Sequence, residues 1–437
     1  MKFYDRKEEL SKIERITDLS KSVAQMTFIV GRRRIGKTKL ITKALNGSDT
    51  LYFFVSRKTE SLLCADFIDE IRDKLNIPIY GEIKDFQTLF KMLMEVSVDR
   101  PFNLIIDEFQ EFFFINPSIY SDMQHYWDLN KEHSHLNLFL CGSVYTLMHK
   151  IFEDNKEPLF GRATQKIHLK PFSPSVLKGI LSEYNPNYQQ EDLLALFAFT
   201  GGIPKYVEHF IDNGFFTFNA MVDDIFTSNS LFIGEGKTLL IEEFGKDYAI
   251  YFSILASMAA GYTSRPVIEG LLQREIGGYM ARLEKDFSII RKCKPMFAKN
   301  ETKNIHYEIE DPFLRFWFRF IYKYESYIQT GAFEPLKSIF LRDYNTFSGK
   351  TLEEYFKNKL IEEQQYTALG GYWDKKGENE IDIIALDDLN RKAIVAEVKR
   401  KKENIHFEKL RVKVANSIYK ELSPYTIEYR GFSMEDM

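Results

Sequence analysis

Residues 31 to 38 read Gly31-Arg32-Arg33-Arg34-Ile35-Gly36-Lys37-Thr38, directly after the apolar run Met26-Thr27-Phe28-Ile29-Val30. Glycines let the backbone turn tightly enough for several N–H groups to point at one anion. A helix expected from Lys37 to Leu45 would offer its positive end to the same anion. A Gly-rich turn before an ordinary helix is the plainer reading, but strand, loop and helix follow one another in the order that a phosphate-binding loop demands. All eight residues are therefore expected around a nucleotide triphosphate. Lys37 would neutralise its β- and γ-phosphates and Thr38 would give a hydroxyl to Mg²⁺.

Downstream, Pro101-Phe102-Asn103-Leu104-Ile105-Ile106-Asp107-Glu108 is an apolar strand ending in two carboxylates. Asp107 is expected in the Mg²⁺ shell and Glu108 as the group that polarises an attacking water. A further strand, Leu136 to Gly142, ends at Ser143, well placed to sense the γ-phosphate. Transfer to a small-molecule hydroxyl, as in a kinase, is the other chemistry of such a loop. The adjacent acids favour water as the acceptor, and the long remainder of the chain has no place in a small kinase.

At 437 residues the chain exceeds one core, so two to four domains are expected. Its net charge of -4 excludes a uniformly basic nucleic-acid binder and confines any such contact to a local patch. The three cysteines, Cys64, Cys141 and Cys293, lack metal-ligand spacing and read as buried, reduced thiols. No apolar leader and no run of membrane-spanning length is seen, which points to a cytoplasmic protein without a membrane partner.

From residue 1 to about 170, helical patterns alternate with strands at Met26 to Val30, Leu51 to Val55, Asn103 to Ile106 and Leu136 to Cys141. This predicts an α/β domain with a parallel sheet and the nucleotide at the carboxyl ends of its strands. Residues 171 to 238 read as a helical lid, with a helix over Glu191 to Phe199 and a break at Thr200-Gly201-Gly202-Ile203-Pro204. Residues 239 to 330 begin with helices over Ile250 to Ala260 and Ser264 to Gln273. A Gly277-Gly278 turn, a third helix over Tyr279 to Phe287 and a strand-like stretch over Ile289 to Ile309 follow. That stretch carries Arg291, Lys292, Lys294, Lys299 and Lys303. The pattern describes a winged helix whose wing could touch phosphates; packing between domains is the alternative use. Asp311-Pro312-Phe313-Leu314-Arg315-Phe316-Trp317 opens an aromatic helix read as packing.

Residues 331 to 437 form the last expected domain. A helix over Leu352 to Glu363 carries Glu353 and Glu354, and strands follow over Glu380 to Ala385 and Ala393 to Lys399. Asp382 and Glu397, on successive strands, can converge on one Mg²⁺ or Mn²⁺, with Glu353 completing the shell. Lys399, on the face of Glu397 by period-two alternation, can orient water and steady charge. These groups suit phosphodiester hydrolysis; a polar face on a small sheet is the plainer alternative.

Together these motifs resemble archaeal-type ATPases of the AAA+ superfamily, close to the STAND-like clade, fused to a PD-(D/E)XK nuclease-like domain. The resemblance is carried by Asp5-Arg6 with Glu9-Leu10, the Arg-rich loop, Asp107-Glu108, Ser143 and Pro158-Leu159-Phe160-Gly161-Arg162. Gly201-Gly202-Ile203-Pro204, Asp311 to Trp317 and Gly349 to Lys399 extend it over nearly the whole chain. It implies that Arg162 acts as an arginine finger or sensor, meeting the γ-phosphate of its own site or of a neighbouring copy in a homo-oligomer. It implies that Pro204 lies against adenine, so that ATP is the nucleotide. It also implies a restriction-endonuclease-like fold in which Asp382, Glu397 and Lys399 match the nuclease signature, with Glu353 as the preceding helix acid and DNA as the substrate. The alternative is an ATP-dependent switch whose nuclease-like part is an inactive scaffold for DNA or a protein.

Overall fold

A computed structural model of the protein describes residues 1 to 299, 301 to 375 and 377 to 437, without the side chains of Tyr145 and Glu242. The chain forms two compact units, one of Asp5–Lys170 and one of Met1–Tyr4 with Pro171–Met437.

In the first unit the elements follow as α1 (Lys7–Ser20), β1 (Gln25–Val30), α2 (Lys37–Ala44), β2 (Thr50–Phe54), α3 (Glu60–Leu75), α4 (Phe86–Asp99) and β3 (Phe102–Asp107). Then come α5 (Phe112–Ile115), α6 (Ile119–Asn130), β4 (Leu136–Gly142), α7 (Tyr145–Glu153) and β5 (Gln165–His168). The sheet has the order β2-β3-β4-β1-β5 and every pairing is parallel. Its three inner strands, β1, β3 and β4, are buried along their whole length, which their mostly apolar sequences permit, and the buried Asn137 Nδ2 donates to Asn103 Oδ1 at 2.8 Å. Edge strand β2 instead buries alternate residues, Leu51 and Phe53, and turns Tyr52 the other way. Strand β5 was not expected from the sequence. It is short and mostly polar, and it forms because β1 supplies a ladder, pairing Thr27 with Gln165 through Val30 with His168.

Parallel strands bring their carboxyl ends to one edge of the sheet. Because β4 lies between β1 and β3, Ser143 emerges between the phosphate loop and Asp107-Glu108.

The second unit continues with α8 (Pro174–Tyr184), α9 (Gln190–Thr200), α10 (Pro204–Asp212), α11 (Phe218–Ile225) and α12 (Leu231–Phe244). Helix α9 is buried from Asp192 to Thr200, as an all-round apolar helix must be. At its end Gly202 adopts φ 75°, and a Cβ there would stand 2.2 Å from the carbonyl oxygen of Phe172, so only glycine fits. Next come α13 (Tyr248–Ala259), α14 (Arg265–Leu272), α15 (Gly277–Ala281), the antiparallel pair β6 (Ile290–Cys293) and β7 (His306–Ile309), then α16 (Pro312–Phe316) and α17 (Glu325–Gln329).

The structure corrects the sequence in three places here. Gly277 and Gly278 open α15 rather than make a turn, neither taking a positive φ, and the Arg265 guanidinium packs beside Gly277. Among the described residues, only the ends of the strand-like stretch pair with each other, since Pro295 interrupts its first half. Cys293 is half-buried rather than buried, on the hairpin strand where its Sγ lies 3.5 Å from Glu308 Oε2.

Helix α18 (Phe333–Glu362) runs for 30 residues, reaching well upstream of the expected start at Leu352. It packs on β8 (Ala368–Tyr372), β9 (Ile381–Asp387) and β10 (Lys392–Val398), while α19 (Phe407–Ser417) packs on β10 and β11 (Thr426–Phe432). This sheet has the order β11-β10-β9-β8, antiparallel except that β11 joins β10 in parallel through the α19 crossover. Alternation sends Ile383, Ala385, Ile394 and Ala396 into the core shared with α18, and Ile384, Leu386 and Val395 into a smaller core with Leu410 and Val414 of α19. No helix among the described residues is long and apolar enough to cross a membrane.

Candidate nucleotide site and candidate acidic site

The phosphate loop has the backbone its sequence demands. Arg34 and Gly36 take left-handed conformations, φ 72° and 89°, and Gly36 caps α2 without a side-chain bond. Gly31 is tightly packed, and a Cβ there would come 3.0 Å from the Leu169 carbonyl oxygen. Ile35 is buried and anchors the loop. Lys37 is buried too, and its Nζ donates to Gly31 O at 2.9 Å. Burial lowers its pKa, against the pull of Glu108 and Asp107.

Asp107 Oδ2 accepts hydrogen bonds from Thr38 Oγ1 at 2.9 Å and from Tyr52 OH at 2.6 Å. Its Oδ1 accepts the N–H of Glu108 at 2.9 Å. A hydroxyl and a carboxylate so joined are hard oxygen donors of the kind Mg²⁺ takes. Glu108, at φ 54°, accepts on Oε2 from Gln110 Nε2 at 2.6 Å and from Ser143 Oγ at 2.7 Å. Sequence reasoning placed Asp107, Glu108, Thr38 and Ser143 but missed Tyr52 and Gln110. The alternation of β2 was the signal for Tyr52; nothing in the sequence marks Gln110.

Arg162 donates to Phe160 O at 2.8 Å and to Asp128 at 3.1 Å, on α6. Pro204 is the first residue of α10, in the second unit.

In the second unit, Lys399 Nζ stands 3.4 Å from Asp382 Oδ2 and 3.6 Å from Glu397 Oε1. The strands fix all three. Asp382 Oδ2 accepts the N–H of Val398 at 2.7 Å, Glu397 Oε2 that of His406 at 2.9 Å, and the Lys399 N–H donates to Phe432 O at 2.9 Å. Burial works against the charge of Lys399, but Asp382 and Glu397 raise its pKa overall.

The two adjacent helix acids have different surroundings. Glu354 is buried in an ion pair with Arg315, with Arg291 at 3.9 Å. Glu353 lies 3.6 Å from Lys350, and burial, with Asp382 adding to it, raises its pKa. Among the described residues no three His, Cys, Asp or Glu side chains gather closely enough to hold a metal. Glu353 therefore does not complete a three-acid shell with Asp382 and Glu397 as expected; Lys350 engages it instead.

The hairpin is built into this region. Arg291 pairs with Glu308 at 2.8 Å, and Glu308 also meets Lys350 at 3.3 Å. Burial opposes the Glu308 charge, yet Lys350 and Arg291 hold its carboxyl well below the usual range. Met296 N–H donates to Gly371 O at 2.8 Å, and the His306 and Trp373 rings stack at 4.6 Å. Arg291, expected on a phosphate-touching wing, is thus an internal ion-pair partner.

Residues 3–210 match the family described as an ATPase domain predominantly from Archaea. Residues 317–415 match a second family, described as archaeal and bacterial proteins of unknown function. The protein MJECL04 of Methanocaldococcus jannaschii is 29% identical over 411 residues, 91% of this chain and 88% of the relative. The Walker-type ATPase PABY2304 of Pyrococcus abyssi shares the fold over 72% of this chain and 96% of its own, with a TM-score of 0.54 and 22% identity. The domain match supports an ATPase domain in the first half of the chain, and the likeness to PABY2304 shows a shared fold.

The environments of Glu353 and Glu354 separate in a stability measurement. Glu354→Ala, which strands a buried Arg315, should lower unfolding free energy in urea by about 3–5 kcal/mol. Glu353→Ala should change it by less than about 1 kcal/mol, because it removes an acid whose charge burial already disfavours. Equal losses would contradict this division.

Proposed function

We propose that this chain hydrolyses ATP with Mg²⁺ and uses its nucleotide state to control the second unit. The observation that carries the hydrolysis reading is the convergence of Thr38 on Asp107 at 2.9 Å and of Ser143 on Glu108 at 2.7 Å, from the ends of separate elements. Lys37 and the loop amides bind the phosphates. Thr38 and Asp107 would hold Mg²⁺, which supplies charge to the β- and γ-oxygens when bound. Glu108 orients a water whose oxygen bonds to the γ-phosphorus, while the bond to the β–γ bridging oxygen breaks and its electron pair leaves with ADP. The proton of the water passes to Glu108. Under this reading Lys37→Ala and Glu108→Gln each lower kcat for ATP hydrolysis at least about 100-fold. Wild-type turnover in Glu108→Gln would end it.

For the second unit we propose metal-dependent cleavage of DNA phosphodiesters. The spacing of Lys399 from Asp382 and Glu397, 3.4 and 3.6 Å, supports it. Two carboxylates give hard oxygens, and Mg²⁺ or Mn²⁺ retains waters for the rest of its shell. The nuclease-like scaffold without activity is the alternative. Asp382→Ala should abolish Mn²⁺-dependent DNA cleavage and leave ATP hydrolysis intact. Cleavage persisting in that variant would overturn this site assignment, whereas absence of Glu397-dependent Mn²⁺ binding in calorimetry would favour the scaffold.

A further inference from the structure

Gln110 takes no part in the chemistry above, yet it is only 1% exposed. It sits in the short helical turn Phe109–Glu111 that follows β3. Its Nε2 donates to Glu108 Oε2 at 2.6 Å, while its Oε1 is buried without a hydrogen-bond partner. Leaving one end of a buried amide unpaired costs about 1–3 kcal/mol, so simple packing would be better served by an apolar residue. The neighbouring strand makes space for it: a Cβ on Gly142 would stand 2.5 Å from Gln110 Oε1. Glu108 itself holds a left-handed backbone, φ 54°, a conformation that costs a residue with a side chain about 1–3 kcal/mol and persists only where its surroundings hold it.

Two donors, Gln110 and Ser143, share one oxygen of the Glu108 carboxylate. They differ in mobility. The Ser143 hydroxyl is half-buried and can rotate toward another acceptor, whereas the Gln110 amide is enclosed. We propose that Gln110 is the positioning residue for hydrolysis. It fixes Glu108 through Oε2, leaves Oε1 to take the proton from water, and keeps the carboxylate in place when Ser143 turns to a phosphate oxygen. This inference rests on the hydrolysis reading above.

The test is single-turnover and steady-state ATP hydrolysis by the full chain, with thermal midpoints measured alongside. Gln110→Met keeps the volume and removes the donor; Gln110→Glu keeps the shape and, ionised, cannot donate. Each should lower kcat about tenfold with KM for ATP within about twofold. In a Glu108→Gln background, Gln110→Met should add less than about a twofold loss, because the carboxylate it serves is already gone. Unchanged kcat in both Gln110 variants overturns the proposal. So does an equal loss in both backgrounds, or a loss that follows a fallen thermal midpoint with a raised KM. If wild type and Glu108→Gln hydrolyse ATP alike, the hydrolysis reading fails and this role with it. If those two differ while the Gln110 variants match wild type, only the positioning role fails.

Discussion

The carboxylate of Asp107 ties the first unit together at its working edge. Thr38 from the start of α2, Tyr52 from β2 and the N–H of Glu108 all donate to it. These groups come from distant parts of the sequence, and they meet because a parallel sheet brings every strand end to one side. The bond to Thr38 sets the loop helix against β3. The bond to Glu108 accompanies the left-handed turn that directs the second acid away from the first. A buried carboxylate with three donors is well compensated, which allows a charge to sit where a divalent cation can share it.

The second unit depends on a different device, a chain of ion pairs through Arg291, Glu308, Lys350 and Glu353, beside the buried pair of Arg315 and Glu354. This chain joins the hairpin to α18 and so supports the helix that runs beside Asp382, Glu397 and Lys399. It engages Arg291 of the hairpin internally, while Lys292, Lys294 and Lys299 of the same stretch are exposed. Removing Glu308, which both Arg291 and Lys350 meet, or Glu354 leaves the facing cations with an uncompensated desolvation penalty.

Much of the first unit was legible because its signals are local. The loop from Gly31 to Thr38, the apolar strand ending at Asp107 and the strand ending at Ser143 each carry their chemistry within a few residues. Strands β5, β8 and β11 were missed because their sequences are short or mixed in polarity and they form against neighbours that periodicity does not reveal. The first half of α18 was illegible because Ser348-Gly349 has the composition of a loop, yet in the fold both lie inside one continuous helix in which Ser348 Oγ donates to Tyr344 O at 2.7 Å. Gln110 was invisible for a related reason, and the alternation of β2 marked the face of Tyr52 without showing its partner. Each acts on a residue that only the folded sheet places beside it. The choice between Glu353 and Glu354 likewise turned on Arg315, far away in sequence.

On the proposed reading, Asp107 gathers Thr38 and the strand ends into one metal-assisted nucleotide site. Calorimetric titration of ATP, with Mg²⁺ and with a chelator, measures it most directly. Wild type should bind ATP more tightly with Mg²⁺, and Asp107→Asn should lose this increment while keeping its metal-free affinity, since Lys37 and the loop remain. An undiminished Mg²⁺ increment in Asp107→Asn would contradict it.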